Sequence, residues 1–227
     1  MHLLIVSATP FEIQPLTNHL KSSFEKISDS HFKKNKLEIR LLITGVGMAH
    51  TAFSLGHVLA KNQFNLAINA GIAGAFDRSL NIGDVVQVVT EQFGDLGVEE
   101  KDGSFTDVFE MELFDKNQPP FEDGLLRNEG AAGFGFLPKC KGLTVNKVHG
   151  TNASANAASK KYGADIESME GAAFFLACKL SEVPFLQVRS ISNYVEARNR
   201  ELWDLPKAIK NLNNILIEII NVFASNQ

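Results

Sequence analysis

Two glutamates and one asparagine have residue types and positions suited to acid–base and hydrogen-bonding chemistry. Glu12 follows a short apolar run, Glu170 comes just before the apolar stretch Gly171 to Phe175, and Asn193 ends a strand-like pattern. A carboxylate can take a proton from water. A semi-buried carboxylate also needs hydrogen-bond donors, which sugar hydroxyls would supply. Taken alone, either glutamate would equally fit a solvated acid that complements a helix dipole.

Three predicted strand ends carry these candidates. Glu12 follows the first strand, Ala73 and Gly74 follow a second, and Asn193 follows the pattern LQVRSIS at 186–192. Ligands of α/β sheets bind beyond the carboxyl ends of the strands. We therefore expect these residues to converge at one edge of a sheet.

Several common cofactor motifs are missing from the sequence. The turn at 45–50 (GVGMAH) has His50 where a dinucleotide fingerprint needs its third glycine, and no suitable acid follows about 20 residues later. The chain has no P-loop lysine motif, and its six histidines lack the spacing of paired metal ligands. The sequence therefore predicts no metal and no organic cofactor.

The elements that would position the candidates alternate along the chain. Apolar or β-branched runs predict strands at 3–7, 37–44, 66–69, 84–90, 142–147 and 185–190. Helices are predicted at 11–20, 48–61, 168–180 and 207–224. Pro10 suits the first turn of the first helix, Ser168 is a candidate N-cap, and Gly71 to Gly74 are expected to close the strand at 66–69. This alternation predicts a single α/β domain over 1–227, a sandwich around a central sheet.

Composition excludes several classes of protein. The chain has 227 residues, 44% of them hydrophobic, and a net charge of −4, which argues against a nucleic-acid partner. No apolar run reaches the ~18 residues of a membrane span, and the N-terminus has no signal-peptide pattern. We therefore expect a cytoplasmic protein without a membrane partner. Cys140 and Cys178 are predicted to be buried thiols rather than a disulfide.

The segment 93–138 shows no clear periodicity. A loop of this length is usually functional or mobile. It contains seven of the 17 phenylalanines, at positions 93, 105, 109, 114, 121, 134 and 136.

Six motifs in order resemble those of the nucleoside phosphorylase and nucleosidase superfamily over nearly the whole chain. Glu12 after the first strand is followed by TGVG (44–47), NAGIAGAF (69–76), NIGDVV (81–86), ESMEGAAFF (167–175) and VPFLQVRSISN (183–193). The resemblance implies a three-layer sandwich with a central mixed β-sheet flanked by helices. It also implies a small-molecule nucleoside substrate and a homodimer or higher homo-oligomer.

Three segments resemble the futalosine hydrolase branch of that superfamily. They are FGDLGVEEKDGSFTDVFEM (93–111), VNKVHG (145–150) and SISNYVEARNRELWD (190–204). This resemblance implies hydrolysis of futalosine to hypoxanthine and dehypoxanthine futalosine in menaquinone biosynthesis. A 6-oxopurine nucleoside phosphorylase, another purine nucleosidase and a non-catalytic nucleoside-binding protein are the alternatives.

The resemblance assigns roles to the candidate residues. Glu12 matches the base that deprotonates the attacking water, and Glu170 matches the carboxylate that binds the ribose hydroxyls. Met169 matches the residue that packs against the sugar. Superfamily phosphorylases hold phosphate with arginines, but the matching turns at 44–50 and 69–71 contain none. Water is therefore the expected nucleophile.

Asn193 departs from the methylthioadenosine and adenosylhomocysteine nucleosidases, which have aspartate at the matching position. The amide NH₂ offers two donors, which fit O6 and N7 of a 6-oxopurine. Adenine would instead set donor against donor, and an unpaired buried polar group costs about 1–3 kcal/mol. We therefore expect Asn193 to take part in catalysis by binding a hypoxanthine-type base.

The remaining candidates concern the purine and the 5′ tail of the substrate. Val148 and His149 are expected near the purine, and Trp203 matches an aromatic lid. In related nucleosidases the partner subunit supplies a loop to the tail pocket, and Phe105, Phe109 and Phe114 lie in the matching segment. Arg198 or Arg200 would pair with the carboxylate of futalosine, although each also fits a solvated surface charge.

Overall fold

A mixed sheet of ten strands runs through the part of the chain that the computed structural model describes, residues 1–128 and 135–225. Its strands are β1 (His2–Ser7), β2 (Glu25–Ser28), β3 (His31–Lys34), β4 (Leu37–Ile43), β5 (Leu66–Ala75), β6 (Val85–Phe93), β9 (Leu126–Arg127), β10 (Lys139–Thr144), β11 (Ile166–Ser168) and β12 (Phe185–Tyr194). A separate hairpin consists of β7 (Gly97–Glu99) and β8 (Phe105–Asp107).

Five α-helices are present in the described residues. They are α1 (Gln14–Ser23), α2 (Met48–Leu59), α3 (Asn152–Tyr162), α4 (Gly171–Leu180) and α5 (Leu205–Ser225), with a short 3₁₀ helix at Arg200–Leu202. The sheet order is β11-β10-β6-β12-β5-β1-β4-β3-β2. Because β11 also pairs with β5, the strands β5, β12, β6, β10 and β11 form a closed ring.

Helices cover both faces of the sheet. On one face α1 and α5 pack on β1, β4, β5 and β12, and on the other α2 and α4 pack on β1, β5 and β6. Alternate residues of β1 divide between the two cores: Leu3 and Ile5 lie in the first, Leu4 and Val6 in the second. This period of two is expected of a strand buried on both faces. The predicted three-layer α/β sandwich with a mixed sheet is confirmed.

Several predicted boundaries differ from the structure. The first helix begins at Gln14 rather than at residue 11, and the proline of its first turn is Pro15 rather than Pro10. Strand β5 does not end before Gly71 but continues to Ala75, because Gly71 to Ala75 pair with β12. Ser168 belongs to β11 rather than to a helix cap position, although its hydroxyl accepts from the backbone N–H of Gly171 at 3.4 Å.

Four phenylalanines of the segment 93–138 form an aromatic cluster. Phe93, Phe109 and Phe114 each lie with their ring centroids 5.3–6.3 Å from that of Phe121. Such tilted and edge-to-face pairs stabilise one another beyond the area they bury. Phe134 lies outside the described residues. The cluster joins this segment to the second core of the domain, in which Phe121 is buried and against which Phe93 and Phe109 pack.

Both cysteines are buried free thiols, as predicted. Burial raises the pKa of Cys140 to about 12 and also raises the pKa of Cys178. Neither thiol is therefore ionised near neutral pH. No helix of the described residues is both long and apolar enough to span a bilayer.

Candidate active site

The Glu12 carboxylate is buried in the turn between β1 and α1. Oε2 accepts from the backbone N–H of Thr9 at 3.0 Å and from its hydroxyl at 2.9 Å, and Oε1 accepts from the N–H of Ile72 at 3.1 Å. Only 7% of the residue is exposed, so it is not a solvated helix-end acid. From α5, Nδ2 of Asn213 donates to the backbone oxygen of Glu12 at 2.8 Å. The turn and the carboxylate are therefore held from both sides.

The Glu170 carboxylate lies at the N-cap position of α4 and is 6% exposed. Oε1 accepts from the backbone N–H of Gly47 at 3.1 Å, at the start of α2. Burial raises its pKa; Arg189 and the hydrogen bond from Gly47 oppose this, and the charge of Glu12 adds to it. Glu12 and Glu170 lie far apart in the sequence, but their carboxylates are close enough for the charge of Glu12 to raise the pKa of Glu170.

Arg189 of β12 is a site residue that the sequence analysis missed. It is 1% exposed, and its Nη1 lies 3.6 Å from Oε2 of Glu170. A Cβ on Gly71 would come within 2.2 Å of this nitrogen and 2.9 Å of Oε1 of Glu12, so only glycine leaves room for both groups. The sequence did contain a signal for it. LQVRSIS places an arginine in a strand expected to be buried, and arginine is almost never fully buried unless it is paired.

The charge balance of this group disfavours a bound anion. Two carboxylates, Glu12 and Glu170, flank one guanidinium. Among the described residues, Nε and Nη2 of Arg189 have no hydrogen-bond partner. A phosphate here would meet more negative than positive charge, whereas a water molecule could donate to a carboxylate and accept from the guanidinium.

Asn193 lines a cavity next to this group. Its Oδ1 accepts from the hydroxyl of Ser192 at 2.7 Å, and its Nδ2 donates to the backbone oxygen of Tyr194 at 2.8 Å. Since one N–H is used in this way, the amide has one donor left for a ligand. The expectation of two free donors from Asn193 was therefore wrong.

Four further predicted binding residues line the same cavity: Gly74, Val148, His149 and Trp203. Arg198 also lines it, and its guanidinium lies 5.1 Å from the ring of Trp203. Arg200 is exposed on the 3₁₀ helix.

The other predicted binding residues lie outside this cavity within the described part of the chain. Ala73 is buried on β5, where its oxygen accepts from Ser192, and Met169 is half-buried beside Glu170. Phe105 lies on β8 against Lys161, and Phe109 belongs to the aromatic cluster. A role for these two rings in a partner's pocket stays a prediction.

Strand β5 connects the two halves of the site. Its Ile72 N–H binds Glu12, and a Cβ on Gly74 would lie 3.2 Å from Nδ2 of Asn193. Two residues along a strand correspond to about 7 Å. This separation is on the scale of a nucleoside.

A third buried carboxylate, Glu91 of β6, was also missed. It accepts from Nε2 of Gln187 at 2.5 Å and from the hydroxyl of Thr144 at 2.8 Å. The same hydroxyl accepts from the backbone N–H of Ala172 at 2.7 Å, in the first turn of α4. A Cβ on Gly171 would lie 1.9 Å from the carboxylate, so this glycine makes room for it.

Burial raises the pKa of Glu91 from 4.5 to about 7, against the hydrogen bonds from Thr144 and Gln187 and the charge of Arg189. Because the folded-state pKa is the higher one, the protonated form stabilises the fold below about pH 4.5, and this contribution is lost as the pH rises through 7. Glu91→Gln keeps the shape and removes the titration. We expect the free energy of unfolding of the unaltered chain to fall by up to about 3 kcal/mol relative to this variant between pH 5 and pH 8.

Urea unfolding at a series of pH values measures this difference. Parallel stability curves for the two proteins would show that Glu91 does not titrate in this range.

No group of three or more His, Cys, Asp or Glu residues in 1–128 and 135–225 has the geometry to hold a metal ion.

Comparisons with known proteins show the family of this chain. The model of the phosphorylase superfamily matches residues 2–221. Futalosine hydrolase of Thermus thermophilus is 34% identical over 173 residues, which cover 75% of this chain and 76% of that protein. Futalosine hydrolase of Acidothermus cellulolyticus is 31% identical over 217 residues, covering 92% and 86%.

A solved structure is similar over almost the whole fold. It is the 5′-methylthioadenosine/S-adenosylhomocysteine nucleosidase of Neisseria meningitidis in complex with methylthio-immucillin-A. The TM-score is 0.75 at 19% identity, and the match covers 96% of this chain and 98% of that one. The likeness concerns the arrangement of strands and helices.

Proposed function

This chain belongs to the phosphorylase superfamily and is an N-glycosyl hydrolase, and we propose that it hydrolyses futalosine to hypoxanthine and dehypoxanthine futalosine. The observation that carries the proposal is the buried group of Glu12, Arg189 and Glu170 beside the cavity of Asn193. The two futalosine hydrolases above, both more than 30% identical, support this choice of substrate.

Glu12 acts on the attacking water. Its oxygens accept from Thr9 and Ile72, which orient the carboxylate without neutralising it. As the bond between C1′ and N9 breaks, its electron pair goes to the purine, while the water oxygen bonds to C1′ and gives a proton to Glu12. The mixed charge of the group supports water rather than phosphate as the nucleophile.

Glu170 binds the ribose hydroxyls and stabilises the reacting sugar. C1′ gains positive charge as the glycosidic bond stretches, and a fixed carboxylate in a site shielded from water stabilises that charge strongly. The N–H of Gly47 and the guanidinium of Arg189 hold the Glu170 oxygens in place.

Asn193 distinguishes between purines with one N–H rather than two. That N–H can donate to O6 of a 6-oxopurine, but it would face the 6-amino group of adenine as a second donor. This favours hypoxanthine as the leaving base. Trp203 and Arg198 offer an aromatic face and a cation to the carboxyphenyl tail of futalosine.

The proposal also covers where the enzyme works, how it assembles and which pathway it serves. The support for these points is the resemblance to futalosine hydrolases. We expect a cytoplasmic homo-oligomer in menaquinone biosynthesis, with Phe105 and Phe109 contributing to the tail pocket of a partner subunit. Phe53 and Leu113, which are 78% and 69% exposed, are apolar side chains available for such an interface.

One assay tests the proposed function. The protein is incubated with futalosine, inosine and methylthioadenosine, each with and without phosphate, and the free base is followed by chromatography. Release of hypoxanthine from futalosine without phosphate is the expected result. A strict requirement for phosphate would indicate a phosphorylase, and no turnover of any nucleoside would indicate a binding protein.

Asn193→Asp tests how the base is recognised. We expect the ratio of kcat/KM for methylthioadenosine to that for futalosine to rise by about tenfold or more, because a carboxyl oxygen can accept from a 6-amino group where the free N–H of the amide cannot. Asn18→Asp, an exposed substitution on α1, is the control for the added charge. An unchanged ratio would show that Asn193 does not select the base.

A further inference from the structure

A histidine and a glutamate of the Asn193 cavity form a pair for which the mechanism above has no role. Nδ1 of His149 contacts Oε2 of Glu167, and the backbone N–H of His149 donates to Oε1 of the same carboxylate at 3.1 Å. Glu167 on β11 is only 4% exposed. Both of its oxygens are therefore bound by one residue, which fixes the imidazole against the cavity.

This pairing determines which ring nitrogen can meet a ligand. An ionised carboxylate can only accept, so Nδ1 of His149 carries a proton and Nε2 is the nitrogen left over. Among residues 1–128 and 135–225, the hydrogen bond of the imidazole is the one from Nδ1 to Glu167. A carboxylate in this position fixes the orientation of an imidazole and which of its nitrogens faces a ligand. When both ring nitrogens are protonated, His149 can give up the proton of Nε2 while Nδ1 keeps its bond to Glu167.

The reaction needs such a proton donor. When the glycosidic bond breaks, the purine leaves with the electron pair and must take up a proton to become neutral hypoxanthine. The amide of Asn193 can donate a hydrogen bond but cannot release a proton near neutral pH. A proton supplied by the protein therefore comes from another side chain of the cavity.

The other titratable side chains of the cavity are already committed. Glu196 pairs with Arg78 at 2.6 Å, and the hydroxyl of Tyr194 donates to the backbone oxygen of Leu80 at 3.0 Å. Arg198 lies over the ring of Trp203, and a guanidinium is a poor proton donor in catalysis. Of the described residues that line the cavity, His149 is the one suited to proton transfer.

We propose that His149 is a catalytic acid that protonates N7 of the leaving purine, with Glu167 as its positioning residue. The proposal rests on the proposed nucleosidase function and adds to it the source of the second proton. The proton moves from Nε2 of His149 to N7 while the bond between C1′ and N9 breaks. Glu12 receives the proton of the attacking water and later releases it to solvent, and His149 regains a proton from solvent, so the overall reaction consumes one water.

An N7-methylated nucleoside separates this role from a structural one. Methylation already places a positive charge on the imidazole ring of the purine, so the base leaves without an acid. His149→Gln is expected to lower kcat by about 10²–10⁴-fold on the purine nucleoside that the unaltered chain hydrolyses fastest. Turnover of the N7-methyl derivative of the same nucleoside should remain nearly that of the unaltered chain.

Two further variants complete the experiment. Glu167→Gln should lower kcat on the ordinary nucleoside and spare the N7-methyl derivative, because it weakens the acid without removing it. His57→Gln, on the exposed surface of α2, is the matched control and should affect neither substrate. A 4-nitrophenyl riboside, whose leaving group also needs no proton, gives a second readout that places no methyl group near Asn193.

The possible outcomes are distinct. Equal losses on ordinary and activated substrates would overturn the acid role of His149 and indicate a structural one, and no loss on either would overturn it as well. Those results leave hydrolysis by the unaltered chain intact. If the unaltered chain hydrolyses no nucleoside, the proposed function fails, and this inference fails with it.

Discussion

Glu12→Gln is expected to lower kcat by about 10²–10⁴-fold with little change in substrate affinity. The amide has nearly the shape of the carboxylate but cannot take the proton of the attacking water. Oε1 can still accept from Ile72, so the local fold should survive. Steady-state hydrolysis together with calorimetric binding of the nucleoside separates catalysis from affinity.

The hydrogen bonds of Glu12 predict a second effect of this substitution, on stability. The amide nitrogen of the variant would face either the donors of Thr9 or the N–H of Ile72, so a modest loss of stability is also expected. Glu25→Gln, an exposed change on β2, is the matched control. A near-normal kcat for Glu12→Gln would remove Glu12 from the role of base.

Arg189→Met is expected to reduce kcat by about 10²–10³-fold and to reduce stability by about 3–5 kcal/mol. Without the guanidinium, Glu170 loses the charge that opposes its raised pKa, and Glu12 faces it without a cation between them. Glu170 should then be protonated over a wider pH range, and a neutral acid stabilises the developing positive charge at C1′ less well. Urea unfolding and kcat measured on the same preparation test both effects.

Arg189→Lys tests the role of the guanidinium if the methionine variant does not fold. It retains a buried positive charge but loses the planar guanidinium, so it should recover more stability than activity. Arg40→Met, which removes a guanidinium bonded to Asn62 away from the site, is the control. Full activity in Arg189→Met would show that the cation is not needed between the two carboxylates.

Much of the fold could be predicted from local patterns. The strands at 37–43 and 85–93, and the helices that begin at Met48 and Leu205, follow from β-branched runs and from apolar residues at helical spacing. The extension of β5 through Gly71 to Ala75 could not be predicted, because four of its five residues are glycine or alanine, which have little strand propensity. Pairing with β12 overrides that local preference.

The site shows a similar division. Glu12, Glu170 and Asn193 could be proposed from residue type, position at strand ends and family resemblance. Arg189, Glu91 and the link between His149 and Glu167 could not, since each depends on a contact between distant elements. The aromatic segment is a further case: its rings suggested a substrate pocket, but four of them pack on one another around Phe121.

The sequence by itself determined the order of the motifs, the α/β layering and which side chains can exchange protons. The tertiary structure decided which of these side chains meet. The register of β5 against β12 sets Gly71 beside Arg189 and Gly74 beside Asn193. The pairing of β11 with β5 sets Glu167 beside Gly74, in the cavity that Asn193 lines. The physical reason is that hydrogen-bond registers and the close approach allowed by glycine are set between strands distant in the chain, where local propensity carries no information.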